Sequence, residues 1–327
     1  MKELNWGMIG CGSVTEVKSG PAFSKVKNSR LLAVSSRNYI KAQDYCSRHQ
    51  NPYCFENISQ LISHPDIDAI YIATPPDSHA SLTIKALQAG KSVYVEKPMA
   101  RTYNESLQML QISEQTNSKL FVAYYRRALK YFRFILNMLE MEIIGQPTDF
   151  SIELLLPPRP DDFNSNKPWR VNPEIAGGGY FYDLASHQLD LIFFLLGEIK
   201  EINSMAFNDA GLYQAEDSVD AIFELTNGIE GIGKWRFAES GINKKDSFVI
   251  NGTKGSILFS TFAGTPVCIK NGNKVNKHPI SFPKHIQLPM IESVVNEING
   301  VEKSYSDKYA AAEVNKWLEI AVKNYYN

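Results

Sequence analysis

The sequence contains few cysteines, and they form no recognisable cluster. Only four occur in 327 residues, at Cys11, Cys46, Cys54 and Cys268. None belongs to a CxxC pair or to a Cys/His group with the spacing of zinc ligands. We therefore expect free thiols in a reducing compartment, with neither a disulfide scaffold nor a metal site.

Charge of one sign and long apolar runs are also scarce. Lys and Arg total 34 against 35 for Asp and Glu, and no long basic run occurs, so neither nucleic acid nor an anionic membrane is expected as a partner. The most apolar stretch, Leu189–Leu196, is interrupted by Asp190 and is far shorter than the roughly 20 residues of a membrane-spanning helix. The first residues lack the apolar run of a signal peptide, so a cytoplasmic protein is expected.

What remains is an ordinary globular composition with a two-part organisation. Hydrophobic residues make up 44% of the chain and charged residues 21%. A chain of this length usually exceeds one compact core. Because the pattern changes near residue 125, we predict a nucleotide-binding domain over residues 1–124 and a substrate-binding and oligomerisation domain over residues 125–327.

The first 124 residues alternate short apolar runs with amphipathic segments. The apolar runs predict strands over Leu4–Ile9, Leu31–Ser35, Ala69–Ala73, Ser92–Val95 and Leu120–Tyr124. The segments between them predict helices over Ile40–Arg48, Ser78–Ala89 and Asn104–Thr116, the last capped by Asn104. Gly20-Pro21 is expected to interrupt the first crossover helix. This alternation predicts an α/β Rossmann domain, a doubly wound parallel sheet covered on both faces.

The second half predicts an α+β domain with a large, mainly antiparallel open sheet. Helix Leu129–Glu140 precedes the proline-rich stretch Pro157–Pro160, and Gly177-Gly178-Gly179 precedes an apolar helix over Tyr180–Leu196. The expected strands are Ile199–Phe207, Ser218–Leu225, Gly231–Phe237 and Ser247–Ile250. Hairpin turns are indicated by Asn227-Gly228, Asn251-Gly252 and Asn271-Gly272, and closing helices by Ile286–Ile298 and Lys308–Lys323.

A phosphate-binding turn follows the first strand directly. Gly10-Cys11-Gly12-Ser13-Val14-Thr15 matches the dinucleotide fingerprint at its first two glycines, and Thr15 replaces the third. Gly10 permits the tight turn, and Gly12 lets the backbone approach a pyrophosphate, whose charge the amides at the start of the next helix would hold. Its position inside a strand–helix–strand pattern predicts that residues 10–14 bind a dinucleotide.

The end of the second strand bears on the choice of cofactor. Ser35-Ser36-Arg37-Asn38 has no carboxylate for the ribose 2′-hydroxyl of NAD, whereas Arg37 can pair with a 2′-phosphate. We therefore predict NADP, with NAD still possible, and expect contacts from Ser36 and Arg37. The alternative is that Arg37 is a solvated surface residue.

Three residues have the chemistry that hydride transfer to or from a carbinol carbon requires. Lys97 follows the strand Ser92–Val95, and ligands of doubly wound folds bind beyond the carboxyl ends of strands. Asp183 and His187 are four residues apart, so on an α-helix they share a face. His187 can relay the proton, Lys97 can polarise the oxygen and Asp183 can orient substrate or imidazole, although Lys97 and His187 can exchange roles. Alternatively, His187 is a core histidine and Asp183 a helix-start charge.

Together these motifs resemble those of the glucose–fructose oxidoreductase/inositol dehydrogenase (GFO/IDH/MocA) family. Besides Gly10-x-Gly12, the resemblance rests on Ile72–His79, Ala89-Gly90-Lys91, Glu96-Lys97-Pro98, Trp169-Arg170, Gly177–Gly179 and Asp183-x-x-x-His187. It extends to about residue 197. The sequence departs from the family at Pro76 and near Tyr125, where the family commonly has Asn.

The resemblance implies an oxidoreductase that transfers a hydride between NAD or NADP and a sugar, polyol or related hydroxy or keto compound. It implies Lys97, Asp183 and His187 as catalytic residues. It further implies cofactor contacts from two groups of residues: Thr74, Pro75, Pro76 and His79 after the fourth strand, and Glu96, Lys97, Trp169 and Arg170 nearer the nicotinamide.

Two further expectations concern the protein as a whole. A regulatory or sensor protein that binds NADP without turnover is the alternative to an enzyme, although a sensor has no use for Lys97, Asp183 and His187 as a proton relay. An open sheet leaves an exposed face, which another subunit usually covers, so a homodimer or homotetramer is expected.

Overall fold

The computed structural model describes residues 2–326, which form two compact units. The first unit runs to Leu129 and also contains Pro283–Ala312, whereas the second contains Lys130–Phe282 and the chain from Glu313 onward. The expected division at residue 124 lies near the first of these boundaries. Residues 283–312, however, belong to the first unit, whereas the prediction placed them in the second domain, 125–327.

The first unit is built on a six-stranded sheet in which all neighbouring strands are parallel. The strand order is β3-β2-β1-β4-β5-β6. The strands are β1 Leu4–Ile9, β2 Ser29–Ser35, β3 Tyr53–Phe55, β4 Ala69–Ile72, β5 Ser92–Val95 and β6 Leu120–Val122. The helices up to β6 are α1 Ser13–Val17, α2 Gly20–Phe23, α3 Tyr39–His49, α4 Ile58–Ser63, α5 His79–Gln88 and α6 Tyr103–Gln115. Central strands such as β4 are completely buried, as a sheet covered on both faces requires. The predicted Rossmann fold is confirmed.

Most local predictions for this unit are confirmed. The first crossover helix ends at Val17 and restarts as α2 with Pro21 in its first turn, as predicted. The predicted cap of α6 is wrong: Thr102, not Asn104, accepts a hydrogen bond from the Glu105 amide, and the Glu105 side chain completes a capping box. The short elements β3 and α4 were not predicted.

The second unit contains an eight-stranded sheet with the order β14-β13-β12-β11-β7-β10-β9-β8. Its strands are β7 Pro147–Leu155, β8 Ile199–Phe207, β9 Ser218–Leu225, β10 Glu230–Arg236, β11 Lys245–Gly252, β12 Gly255–Phe259, β13 Val267–Asn271 and β14 Lys274–His278. Its helices before the last one are α7 Lys130–Glu140, α8 Pro173–Ala176 and α9 Ser186–Leu195. Within this sheet β7 and β10 pair in parallel and the other neighbours pair antiparallel, which confirms the predicted mainly antiparallel sheet.

Two details of this sheet differ from prediction. Strand β7 was not predicted, although Phe150, Ile152 and Leu154 alternate along it and are buried. Asn251-Gly252 is not a hairpin turn, because both residues belong to β11 and pair with β12. Asn227-Gly228 lies between the paired strands β9 and β10, and Gly272 lies in the turn between β13, which ends at Asn271, and β14. Both glycines have a positive φ.

The chain closes with helices α10 Leu288–Ile298 and α11 Lys308–Tyr326, near the predicted positions. The segment before α11 completes the edge of the parallel sheet, because the Ser306 hydroxyl accepts a hydrogen bond from the Val122 amide (2.8 Å) and lies 3.1 Å from the Val122 carbonyl oxygen. Within residues 2–326, no helix combines the length and apolar character needed to cross a membrane.

Candidate cofactor and active sites

The glycines of the phosphate-binding turn are required by its geometry. Gly10 has φ +104°, and a Cβ there would lie 2.7 Å from the carbonyl oxygen of Ala73. Gly12 has an extended backbone at the start of α1, and no described atom lies within 4 Å of the position that its Cβ would occupy. The turn is therefore tight on its inner side and open at Gly12, as a backbone that approaches a pyrophosphate must be.

The short helix α1 is held in place by α3. Thr15, at the third fingerprint position, is completely buried, and its carbonyl oxygen accepts a hydrogen bond from the Tyr45 hydroxyl (3.0 Å). Arg48 donates two hydrogen bonds to the Glu16 carboxylate (2.9 and 2.8 Å), which lowers the pKa of Glu16 to about 2. These contacts tether the phosphate-binding turn to the helix beyond β2 without using the turn's own amides.

A groove of about 570 Å³ lies at the carboxyl end of β2. Its lining residues are Ser36, Arg37, Glu56, Asn57, Ile58 and Gln60. Ser36 and Arg37 thus share one concave surface, as the sequence suggested for the residues that recognise the ribose. The sequence did not indicate Glu56, which adds a carboxylate to the same groove because the unpredicted strand β3 ends at Phe55.

Glu96, at the end of β5, belongs to a buried hydrogen-bond network. Its carboxylate accepts hydrogen bonds from the Tyr71 hydroxyl (2.7 Å) and from the side-chain amide of Gln287 (2.6 Å). The Tyr94 hydroxyl donates to the carbonyl oxygen of the Gln287 side chain (2.9 Å), and Tyr71 also contacts Ser19 (2.8 Å). The network fixes the chain immediately before Lys97, which is half-buried at the carboxyl end of the sheet. A direct contact of Glu96 with cofactor stays a prediction.

His79 joins two loops that contain predicted cofactor residues. Its Nε2 lies 2.8 Å from the Thr74 carbonyl oxygen and its Nδ1 3.0 Å from that of Pro98. The side chain is buried, and burial lowers the pKa of His79. His79 therefore links the loop at Thr74–Pro76 to the chain that follows Lys97, although its predicted cofactor contact stays untested.

The helix predicted over Tyr180–Leu196 is not one regular α-helix. Phe181–Ala185 form a π-helical turn, and only Ser186–Leu195 are α-helical. The α-helical spacing from which a shared face was predicted is therefore wrong, because Asp183 lies in the π-helical turn and His187 in α9. That Asp183 and His187 share a face stays a prediction. Such π turns are frequent at functional sites, where they redirect a side chain.

The Asp183 carboxylate lies beside two arginines, each of which stacks on an aromatic ring. Arg170 Nε donates to it at 3.1 Å, and Arg159 Nη2 lies 3.9 Å from the same oxygen. The guanidinium of Arg170 stacks on Trp169 (4.3 Å from the ring centroid) and that of Arg159 on Tyr180 (4.1 Å). The structure thus brings together three predicted residues. It adds Arg159, for which the only sequence signal was its place in the proline-rich stretch.

His187 is buried, with 3% of its surface exposed, and its ring lies edge-on to Phe262 with centroids 6.0 Å apart. The next residue, Gln188, anchors α9 to the sheet. Its side chain donates to the Thr261 hydroxyl (3.2 Å) and accepts from the indole nitrogen of Trp235 (2.7 Å). The rotation of α9 about its own axis, and with it the direction of His187, is therefore fixed by hydrogen bonds inside the second unit.

A Rossmann unit with a dinucleotide fingerprint, followed by a unit that contains a charged cluster, is typical of nicotinamide-dependent oxidoreductases. A family model described as an oxidoreductase family with an NAD-binding Rossmann fold matches residues 4–124. The C-terminal domain model of the same GFO/IDH/MocA family matches residues 132–258. The chain belongs to this oxidoreductase family, as its motifs suggested.

Curated relatives and solved structures agree with this assignment. Oxidoreductase P35 of Formosa agariphila is 38% identical over 293 residues, which cover 89% of this chain and 90% of that protein. Levoglucosan dehydrogenase of Pseudarthrobacter phenanthrenivorans is 30% identical over 80% of this chain and 74% of that protein. A structure of levoglucosan dehydrogenase in complex with NADH and levoglucosan is 22% identical with a TM-score of 0.86, covering 98% of this chain and 97% of that one, and shows the shared fold. The predicted family, fold class and oxidoreductase activity are confirmed.

Proposed function

We propose that this oxidoreductase transfers a hydride reversibly between NADP and a carbinol carbon of a sugar, a polyol or a related hydroxy compound. The observation that carries the substrate class is the cluster around Asp183. A sugar presents hydroxyls that both donate and accept hydrogen bonds and a flatter C–H face. The carboxylate and the guanidiniums of Arg159 and Arg170 match the hydroxyls, and the half-buried Trp169 ring matches the C–H face. Levoglucosan dehydrogenase, a relative, is named for such a compound.

Each candidate catalytic residue has a role in this reaction. His187 relays the hydroxyl proton, because imidazole titrates near neutrality and serves in both directions. Lys97 polarises the reacting oxygen and stabilises developing alkoxide charge. Asp183, held by Arg170, orients the substrate or the imidazole, because its carboxylate has acceptor positions beyond the one that the guanidinium uses. The roles of Lys97 and His187 are interchangeable in principle, and the pH profiles of their variants distinguish the two assignments.

The preference for NADP rests on the groove at the end of β2. Arg37 is exposed there and offers a planar group of donors that suits a 2′-phosphate. Glu56 lines the same groove and would repel a phosphate, but would accept a hydrogen bond from the ribose hydroxyl of NAD. The balance between these two side chains sets the cofactor preference, so both must be varied.

The test is a panel of sugars, anhydrosugars and cyclic polyols with each cofactor, followed by nicotinamide absorbance. We expect turnover with NADP at a lower KM than with NAD. Arg37→Ala should reduce that preference at least tenfold and Glu56→Gln should increase it. A lower KM for NAD in the wild-type protein would contradict the NADP assignment. Cofactor binding without turnover of any compound on the panel would favour the sensor alternative.

We also propose that a second copy of the chain covers the exposed face of the eight-stranded sheet. Ile222, Ile232, Ser151, Val249 and Leu258 are cross-strand neighbours that form one row over five strands. Ile222, Ile232 and Leu258 are 61%, 59% and 42% exposed. Light scattering should show a dimer or tetramer, and Ile232→Lys should shift it to monomer. A wild-type monomer of 36.8 kDa would refute the proposal.

The cytoplasmic location stays a prediction.

A further inference from the structure

The chain before Asp183 packs closely against the buried side chain of Glu216. Gly177 ends α8 with φ +90°, so it needs glycine for its backbone. The next two glycines are required by space: a Cβ at Gly178 would lie 2.4 Å from the Tyr182 ring, and one at Gly179 would lie 2.4 Å from the Glu216 carbonyl oxygen. The triple glycine therefore lets this segment lie directly on Glu216, two residues before β9.

Both oxygens of the Glu216 carboxylate are used by separate parts of the second unit. Oε1 accepts a hydrogen bond from the Gly179 amide at 2.8 Å. Oε2 accepts one from the hydroxyl of Tyr326, in the last turn of α11, at 2.5 Å. Glu216 has no exposed surface. A buried carboxyl group with both oxygens hydrogen-bonded is a strong anchor, because losing either partner leaves a buried polar oxygen unsatisfied.

Gly179 also lies at the start of the helical segment formed by the π-helical turn Phe181–Ala185 and α9. Its carbonyl oxygen accepts a hydrogen bond from the Tyr182 amide (3.1 Å), and the π-helical turn that contains Asp183 begins two residues after Gly179. A displacement of the Gly179 backbone would therefore also displace Asp183, which lies within one helical turn of it. Gln188 and Trp235 hold the helix beyond this turn, so Glu216 supplies the anchor at its start.

We propose that Glu216 and Tyr326 are positioning residues for Asp183, so that the last turn of the C-terminal helix takes part in building the active site. The proposal rests on the function proposed above for Asp183. Around Glu216 the other ionisable groups are Tyr182, Tyr213, Tyr326, Asp217 and, toward Tyr182, Glu319. Burial raises the pKa of each of these three tyrosines, so all three are neutral and Tyr326 acts as a hydrogen-bond donor.

Tyr326→Phe, Glu216→Gln and the control Tyr325→Phe test the proposal. Tyr325 precedes Tyr326 on the same helix and donates to the Gln214 carbonyl oxygen (2.8 Å), so its variant loses a similar bond that does not reach Glu216. We expect Tyr326→Phe to lower kcat about three- to tenfold while the KM for cofactor stays unchanged. Glu216→Gln should retain more activity than Glu216→Leu, because a side-chain amide oxygen still accepts from Gly179.

A second measurement separates this proposal from the proposed function. Amide hydrogen exchange of the peptide spanning residues 178–187 should be faster in Tyr326→Phe than in wild type and unchanged in Tyr325→Phe. If wild type turns over no compound, the proposed function fails, but exchange still shows whether Glu216 and Tyr326 hold this segment. Equal exchange and equal kcat in the two tyrosine variants would overturn the positioning role.

Discussion

Gln287 is expected to contribute more to stability than its polar character suggests. It has no exposed surface, and its side-chain amide joins Glu96 to Tyr94 by bonds of 2.6 and 2.9 Å. Replacing it by Met keeps the volume but removes both partners. The Glu96 carboxylate then loses a donor, which costs about 1.5–3 kcal/mol for a bond to a charged group, and the buried Tyr94 hydroxyl loses its acceptor, which costs about 1–3 kcal/mol. We expect Gln287→Met to lower the free energy of unfolding by about 3–5 kcal/mol.

Urea unfolding followed by circular dichroism measures this loss, and the chain offers a matched control. The Gln146 side chain also donates to a carboxylate, that of Glu142 at 2.7 Å, but this bond is exposed. Gln146→Met should therefore change the unfolding free energy by less than about 0.5 kcal/mol. The double variant Gln287→Met with Tyr94→Phe should be more stable than the sum of the single changes predicts, because it leaves no stranded hydroxyl. A cost for Gln287→Met as small as that for Gln146→Met would refute the argument.

The remaining predictions concern cofactor and substrate. Gly10→Ala should lower the melting temperature, because φ is +104° and a Cβ would lie 2.7 Å from a carbonyl oxygen. Gly12→Ala should melt like wild type and weaken only the binding of the cofactor, which calorimetry with NADP would measure. Lys97→Ala and His187→Ala should each lower kcat by at least about a hundredfold with little change in cofactor affinity, and near wild-type kcat in both would exclude the proposed roles. Arg159→Met should raise the KM for the sugar severalfold and leave the KM for cofactor unchanged; equal effects on both would place Arg159 outside the substrate site.

The elements that sequence predicted best are those whose periodicity is matched by burial. Strands β1, β5, β8 and β9 have the predicted bounds, and the nearly continuous apolar strands indicated a parallel sheet correctly. Strand β7 was not predicted, although Phe150, Ile152 and Leu154 alternate along it; Pro147 at its start and the proline-rich stretch after it are residues typical of turns. The π turn at Phe181–Ala185 has no signature in residue spacing, since an apolar run suits either helix type.

The candidate site was predictable only where its residues belong to local motifs. Asp183, Arg170 and Trp169 are near one another in sequence and were found together. Gln287 contacts Glu96 across 191 positions, and Glu216 contacts Gly179 across 37. Both are ordinary polar residues in the sequence, and only the folded chain turns them into buried anchors. Their roles arise from tertiary packing, which no local pattern encodes.

The protonation of Glu216 should also make the stability of the protein depend on pH. Burial raises the pKa of Glu216 from its ordinary value to about 7, so the folded chain keeps a proton that the unfolded chain releases above about pH 4.5. The free energy of unfolding therefore falls as pH rises from about 4.5 to about 7, by up to about 3 kcal/mol, and this contribution is constant above that range. Glu216→Gln removes this contribution, so urea unfolding at pH 5, 6 and 8 should show the free energy of unfolding of the variant rising relative to that of wild type as pH rises. For the exposed control Glu239→Gln, the difference from wild type should be the same at all three pH values. A difference between Glu216→Gln and wild type that is the same at all three pH values would show that Glu216 is ionised throughout, with its two hydrogen bonds fully offsetting its burial.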